Sequence, residues 1–372
     1  MIKVLLVFGT RPEAIKLCPV LLHLRKRVRD FEVKCCVTAQ HRLMLDQVLQ
    51  AFDVTPDYDL NVMQPGQTLA QSSARILAAL EGVLAAERPD VVLVQGDTTT
   101  TFCAALSAFY RHIAVGHVEA GLRTGDLQQP FPEELNRVLT TRLSTLHFAP
   151  TQGAARNLLS EKVQADHIFV TGNTGIDAVL QVTEKLQAGL LPSTARPGLD
   201  PSKRLLLVTA HRRENFGAPL DAICKALLQL ARRGDVQIVY PVHRNPNVAF
   251  PVRQSLGSEP NIILCDPLEY VPFVDLMRRA YLLITDSGGI QEEGPSLGKP
   301  VLVMRAKTER PEAVEAGTVK LVGTDTQRIV RETEFLLENR EEFERMSRTH
   351  NPYGDGHASE RIGDAIMERV RR

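Results

Sequence analysis

A chain of 372 residues is too long for one ordinary hydrophobic core and points to two domains. Its 44 Lys and Arg balance 44 Asp and Glu, so no global field recruits nucleic acid or an anionic membrane surface. No apolar run approaches the roughly 20 residues that span a bilayer, and the opening MIKVLLVFGTRPE reads as a strand and turn rather than a cleavable signal. The six cysteines lack C-x-x-C spacing and mostly sit in apolar segments. They read as buried thiols of a protein in a reducing cytoplasm, not as metal ligands.

Taken in order, apolar runs recur at residues 2–8, 33–38, 91–95, 113–117, 145–149 and 168–171. Helical patterns lie between most of them, as at 67–87, where apolar residues recur at three- and four-residue spacing. A second series follows at 204–209, 236–241, 262–265, 281–285, 300–304 and 319–322. The stretch between the series, 190–202, is rich in Pro and Gly and has no period. Alternating strands and helices predict an α/β fold of two doubly wound, Rossmann-like domains with about six strands each and a cleft between them. We place the first domain at 1–172 and the second at 173–356, its first helix starting near Gly175. A last helix at 357–371 is expected to pack back on the first domain.

Ligands of such folds bind at the carboxyl ends of the parallel strands, so polar residues there are the candidates. After the first strand comes Gly9-Thr10-Arg11-Pro12-Glu13-Ala14-Ile15-Lys16. A G-x-G-x-x-G would occupy this turn in a dinucleotide-binding protein, and the single glycine argues against such a cofactor. Arg11 and Lys16 are either a pair that meets a diphosphate or two solvated cations. Pro12 is helix-start chemistry in its own right.

After the third strand comes Gln95-Gly96-Asp97-Thr98-Thr99-Thr100-Thr101, and after the fourth His117-Val118-Glu119-Ala120-Gly121-Leu122-Arg123-Thr124. A Pro-rich loop then brings Pro130-Phe131-Pro132-Glu133-Glu134-Leu135-Asn136-Arg137. Asp97 is a cap for the following helix or an acid/base group, and Thr98 can cap as well. Asp97, Glu119 and Glu133 all fall at one rim. Neighbouring carboxylates push their pKa values apart, which makes one an acid and another a base.

The second series gives Thr209-Ala210-His211-Arg212-Arg213-Glu214-Asn215 and Pro241-Val242-His243-Arg244-Asn245-Pro246. His211 has no zinc-type partner nearby in sequence and is either structural or catalytic. Residues 281–304, YLLITDSGGIQEEGPSLGKPVLVM, form a strand–turn–helix–strand unit. Its paired glycines and helix start offer N–H groups to a phosphate. Glu292 and Glu293 stand one turn in, where a carboxylate can accept both hydroxyls of a ribose. The plainer reading is a capped turn with two surface glutamates. It is no Walker loop, because Gly298-Lys299 runs into Pro300. Downstream, Arg310 in Lys307-Thr308-Glu309-Arg310 can close the nucleotide end.

These motifs resemble those of the non-hydrolysing UDP-N-acetylglucosamine 2-epimerases of bacterial cell-surface polysaccharide synthesis. The resemblance runs from Phe8-Gly9-Thr10-Arg11-Pro12-Glu13 to Asn351-Pro352-Tyr353-Gly354-Asp355-Gly356. Its specific stretches include Thr38-Ala39-Gln40-His41-Arg42, Gly116-His117-Val118-Glu119-Ala120-Gly121 and Asp286-Ser287-Gly288-Gly289-Ile290-Gln291-Glu292-Glu293. It implies the B-type glycosyltransferase fold, a homodimer, and reversible conversion of UDP-N-acetylglucosamine to UDP-N-acetylmannosamine without added cofactor or metal. By the same resemblance Asp97, Glu119 and Glu133 fall on acid/base carboxylates and His211 on an active-site histidine. Arg11, Lys16, Arg137, Ser287, Gly288, Gly289, Glu293 and Arg310 fall on positions that hold the substrate, and Phe273 near the uracil. Many members are activated by a second UDP-N-acetylglucosamine, and Gln40, Glu134, Arg212 and His243 match that site. Leu43 and Gly66 depart from the polar residues of some relatives, which leaves the strength of activation open. Two alternatives stand beside this reading: a glycosyltransferase of the same fold, and a nucleotide-sugar sensor that has lost catalysis.

Overall fold

The computed structural model describes residues 1–39, 42–64, 66–192 and 198–370. Gln40 lies outside these, as does part of the 190–202 stretch, and the Arg42 and Leu43 side chains are not described. The chain divides into two compact units, residues 1–181 with 353–372, and residues 182–352.

The first unit alternates β1 (Ile2–Phe8), α1 (Arg11–Lys26), β2 (Phe31–Val37), α2 (Arg42–Phe52), β3 (Tyr58–Asp59), α3 (Leu69–Glu87) and β4 (Val91–Gln95). It continues with α4 (Thr99–Tyr110), β5 (Ala114–Val118), α5 (Glu133–Leu143), β6 (Leu146–Ala149), α6 (Gln152–Ser160), β7 (Ile168–Val170) and α7 (Thr174–Gln187). The strands pair in parallel in the order β3-β2-β1-β4-β5-β6-β7. The winding therefore reverses between β1 and β4. Every residue of β4 is buried, as expected of a strand covered by helices on both faces. Leu5, Val7, Ile76, Leu80, Val92, Val94 and Val115 make the core on one face.

The unit division falls inside α7, between Gln181 and Val182. The first turns of α7 serve the first unit: buried Asp177 accepts N–H bonds from Ala358 and Ser359 at 3.2 and 2.7 Å. That carboxylate caps α15 (Ala358–Val370), which packs on α1, where Arg27 meets Asp364 at 2.6 Å.

The second unit runs β8 (Arg204–Thr209), α8 (Ala218–Ala231), β9 (Val236–Pro241), α9 (Pro246–Leu256), β10 (Ile262–Cys265), α10 (Tyr270–Arg279) and β11 (Leu282–Thr285). It ends with α11 (Gly288–Ser296), β12 (Val301–Val303), α12 (Pro311–Ala316), β13 (Val319–Leu321), α13 (Thr326–Glu338) and α14 (Arg340–Arg348). Its parallel order, β10-β9-β8-β11-β12-β13, reverses between β8 and β11. Leu206, Val208, Ile238, Tyr240, Leu282, Ile284 and Leu302 form its core.

All six cysteines are free thiols, five of them buried. Burial pushes the Cys35 and Cys224 thiols up to about 12, which keeps them unreactive. Among the described residues, no helix is long and apolar enough to cross a membrane.

Candidate active site

Each reversal of winding opens the crevice where doubly wound sheets hold ligands. In the first unit the turns after β1 and β4 meet there, with the turn after β5 beside them. Gly9 follows β1 so close to its neighbours that a Cβ would stand 2.0 Å from Thr38 Oγ1 and 2.7 Å from Thr100 Oγ1. Only glycine fits. The Glu13 carboxylate, 1% exposed, then ties the two turns together. Its Oε2 accepts from the N–H of Gly9 and Thr10 at 3.0 and 2.7 Å, and its Oε1 from the hydroxyls of Thr98 and Thr101 at 2.7 and 3.1 Å. Burial, opposed by these bonds, raises its pKa. Arg11 opens α1 on the turn so braced.

Thr98, not Asp97, caps α4, accepting from Thr101 N at 3.1 Å. The Asp97 carboxylate is thus left for side-chain work. Arg137 from α5 meets Asp97 Oδ2 at 2.5 Å, and Asn136 donates to the Asp97 carbonyl at 2.9 Å. Desolvation raises the Asp97 pKa, against the pull of Arg137 and Lys16 and with a push from Glu133. That push places the Glu133 charge near Asp97.

Glu119 follows β5 with φ +64°, a left-handed conformation that costs on the order of 1 kcal/mol for a residue with a Cβ. Its carboxylate turns back over Gly96, whose Cβ, if added, would lie 3.6 Å from Oε2. Lys16 ion-pairs with Glu119 through Oε1, and Gln95 donates to Oε2. Lys16 therefore has a carboxylate partner and is not simply a solvated cation. Beneath them, buried His117 approaches the Gly96 carbonyl at 2.7 Å through Nε2. A carbonyl only accepts, so Nε2 carries the hydrogen, and burial holds this imidazole neutral with a pKa of about 3.

Glu134, the next residue on α5, is more deeply buried than Glu133. It is 1% exposed, accepts from Thr124 N and Gly125 N at 3.0 Å each, and lies 3.3 Å from Arg137. It braces the loop before α5 through these bonds.

In the second unit the turns after β8 and β11 meet. Asp286 lies at the centre with no exposed surface. It accepts through Oδ2 from His211 N and Arg212 N, both at 2.8 Å, and from Asn215 Nδ2 at 3.0 Å. The His211 ring stacks on His243, with centroids 5.6 Å apart and planes 16° from parallel. Desolvation lowers the His211 pKa, against the opposite pull of Asp286.

Ser287 precedes α11, and Gly288 and Gly289 open it with first-turn N–H groups that have no partner within the helix. A Cβ on Gly288 would lie 3.5 Å from Glu309, 3.6 Å from Arg310 and 3.7 Å from Arg212. Two guanidiniums thus flank a helix N-terminus, with Glu309 paired to Arg212 at 3.6 Å. This is the composition of an anion site. Arg310 also ion-pairs with Glu292, which is 5% exposed, while Glu293 is half-buried. Phe273 sits in the first turn of α10, half-buried.

The sequence candidates thus fall into two groups, one for each unit. Glu13, Gln95, His117 and Asp286 were not among them. Thr10-Arg11-Pro12-Glu13 carries the capping-box spacing that signals Glu13. Asp286 heads the motif that drew attention to Ser287. Nothing local marks Gln95 or His117.

Two doubly wound units in one chain, each with a polar site at its switch point, define the class of two-unit Rossmann-like proteins that includes the B-type glycosyltransferases. Residues 23–367 match the family model described as UDP-N-acetylglucosamine 2-epimerase. The UDP-N-acetylglucosamine 2-epimerase of Escherichia coli (strain K12) is 59% identical over 371 residues, 98% of each chain. The crystal structure of UDP-GlcNAc 2-epimerase from Neisseria meningitidis bound to UDP-GlcNAc is 51% identical. It covers 99% of this chain and 100% of that one, with a TM-score of 0.88. The S. aureus MnaA–UDP structure is 46% identical, covering 100% and 97%, with a TM-score of 0.85. The chain belongs to the UDP-N-acetylglucosamine 2-epimerase family, not to the glycosyltransferases that share its fold.

Proposed function

We propose that this protein is an isomerase that interconverts UDP-N-acetylglucosamine and UDP-N-acetylmannosamine by eliminating UDP and adding it back. The observation that carries the reading is the pair Asp97 and Glu119, on neighbouring strand ends and in different surroundings. Burial raises the Asp97 pKa, whereas Glu119 is ion-paired to Lys16. Two carboxylates so separated in character suit proton removal and return at one carbon.

Carbon 2 of the sugar bears an unactivated proton, so direct abstraction is poor. When the bond from carbon 1 to the UDP oxygen breaks, positive charge at carbon 1 acidifies carbon 2. A carboxylate takes the proton and leaves a glycal with UDP still bound. Proton return to the opposite face and re-addition of UDP give the epimer. Asp97, Glu119 and Glu133 serve as the acid/base set, and His211 of the second unit contributes a further polar group to the substrate. Arg11, Lys16 and Arg137 meet the substrate in the first unit. The α11 start, with Ser287, Gly288, Gly289 and Arg310, balances the departing diphosphate. Glu293 accepts from the ribose and Phe273 lies by the uracil.

In finer detail, the protein works in the cytoplasm as a homodimer and its product feeds cell-surface polysaccharide. Exposed Phe109 and Tyr110 on α4 and Leu135 and Leu139 on the adjoining α5 supply an apolar face for a second copy. Arg212 and His243, beside His211, are the candidates for contact with an activating second UDP-N-acetylglucosamine, together with Gln40.

Purified protein incubated with UDP-N-acetylglucosamine and followed by proton NMR tests the activity. Approach to a mixture of the two UDP-sugars is expected. Net release of UDP and free sugar, or no change, contradicts it.

A further inference from the structure

Asp286 leaves β11 fully buried, and its two oxygens have different surroundings. Oδ2 takes three donors: the N–H of His211 and of Arg212, and Asn215 Nδ2. Oδ1 takes none of them. It faces the His211 ring instead, with Nδ1 at 3.3 Å, and no hydrogen-bond donor satisfies it among the described residues. One carboxylate therefore bonds the main chain of His211 and faces the ring of the same residue. A buried carboxylate oxygen favours a hydrogen on the ring nitrogen that faces it. The His243 ring, stacked alongside, limits rotation.

We propose that Asp286 is a positioning residue: it selects the His211 tautomer with hydrogen on Nδ1 and leaves Nε2 as the nitrogen presented to substrate. This rests on the reading of His211 as an active-site group. The orientation follows from counting donors. Because Oδ2 is committed to three N–H groups, an amide at this position must turn its oxygen to them. Its NH2 then faces Nδ1, which must accept, and the ring hydrogen moves to Nε2. Asp286→Asn thus reverses the tautomer with almost no change of shape, and the wrong tautomer is costly to a catalytic imidazole.

The test is nitrogen NMR of protein labelled at histidine, with the His211 signals assigned by their loss in His211→Asn. The wild-type ring is expected to carry hydrogen on Nδ1 and the Asp286→Asn ring on Nε2. Turnover of Asp286→Asn should fall by on the order of a hundredfold or more, with UDP affinity changing far less. In a His211→Asn background the same change should cost nothing further. A wild-type ring with hydrogen on Nε2 overturns the proposal, and so does an Asp286→Asn penalty undiminished in the double variant. If Asp286→Asn does not fold, the wild-type spectrum alone decides. A His211→Asn protein with full turnover, beside a wild-type ring protonated at Nδ1, defeats the catalytic reading of His211 while leaving its positioning by Asp286 intact.

Discussion

Arg137 Nη2 lies 2.5 Å from Asp97 Oδ2, yet burial still holds the Asp97 carboxyl above its ordinary value. Desolvation is the largest influence there and the Arg137 charge its main counterweight. Taking the guanidinium away leaves desolvation less opposed, so the carboxyl pKa rises further. Arg137→Leu should move the Asp97 limb of the pH profile of kcat/KM to higher pH. Turnover at neutral pH should drop by about tenfold or more, as for other weakened acid/base groups. A limb that stays in place or moves down separates Arg137 from Asp97.

Glu13 makes a stability prediction with a definite sign. Its pKa is raised from an ordinary value of 4.5, with burial the leading cause, so the folded state binds this proton more tightly than the unfolded chain. The resulting stability is fully present below 4.5 and is lost as pH rises through the folded value. Glu13→Gln lacks that titration, and the Thr98 and Thr101 hydroxyls can reverse to accept from the new amide. Melting temperatures should show wild type losing ground to Glu13→Gln as pH rises from 4.5 toward 8. Parallel curves contradict this. Glu13→Ala orphans the Gly9 and Thr10 N–H groups and should cost about 1–3 kcal/mol for each one left buried.

The adjacent pair Glu292 and Glu293 should separate by assay. Glu292 is buried against Arg310, so Glu292→Gln, which takes the negative charge out of that pair, should lower the melting temperature. Glu293→Ala should instead weaken UDP binding by roughly 1–3 kcal/mol through lost charge-assisted hydrogen bonds, with melting little changed. Calorimetry with UDP alongside thermal melts decides. The reverse pattern exchanges their roles.

These two glutamates also mark where the sequence was readable and where it was not. The run Ile2–Phe8 is β1 residue for residue, because an apolar stretch broken only by Lys3 and ending at a turn has few other fates. Strand β3 has only Tyr58 and Asp59, too short to make a pattern, so the first sheet has seven strands where about six were expected. The sequence puts the boundary at 172/173, before α7, whereas the unit division falls within that helix, whose Asp177 caps α15 from far along the chain. Neighbouring residues on a helix point about 100° apart. Which of Glu133 and Glu134, or of Glu292 and Glu293, faces inward therefore depends on partners from outside the helix, the Thr124 and Gly125 N–H groups for Glu134 and Arg310 for Glu292. The motifs announced a site at the strand ends. Asp286 and His211, 75 residues apart, required the sheet order to bring them together.

Self-association should depend on the exposed aromatic end of α4. Tyr110 is 69% exposed and Phe109 52%, on a helix packed against α5, which carries exposed Leu135 and Leu139. Tyr110→Arg combined with Phe109→Glu should shift sedimentation from dimer to monomer, since charge at an apolar interface centre is poorly tolerated. An unchanged dimer moves the interface elsewhere, and a wild-type monomer removes it.

If carbon 2 exchanges its proton while UDP is detached, with the carboxylates at the ends of β4 and β5 as carriers, solvent hydrogen must enter at that carbon. Proton NMR of the reaction run in deuterium oxide, starting from UDP-N-acetylglucosamine with no nicotinamide added, reads this directly. Deuterium should appear at carbon 2 of the UDP-N-acetylmannosamine as it forms. Product that keeps its original hydrogen at carbon 2 contradicts the mechanism.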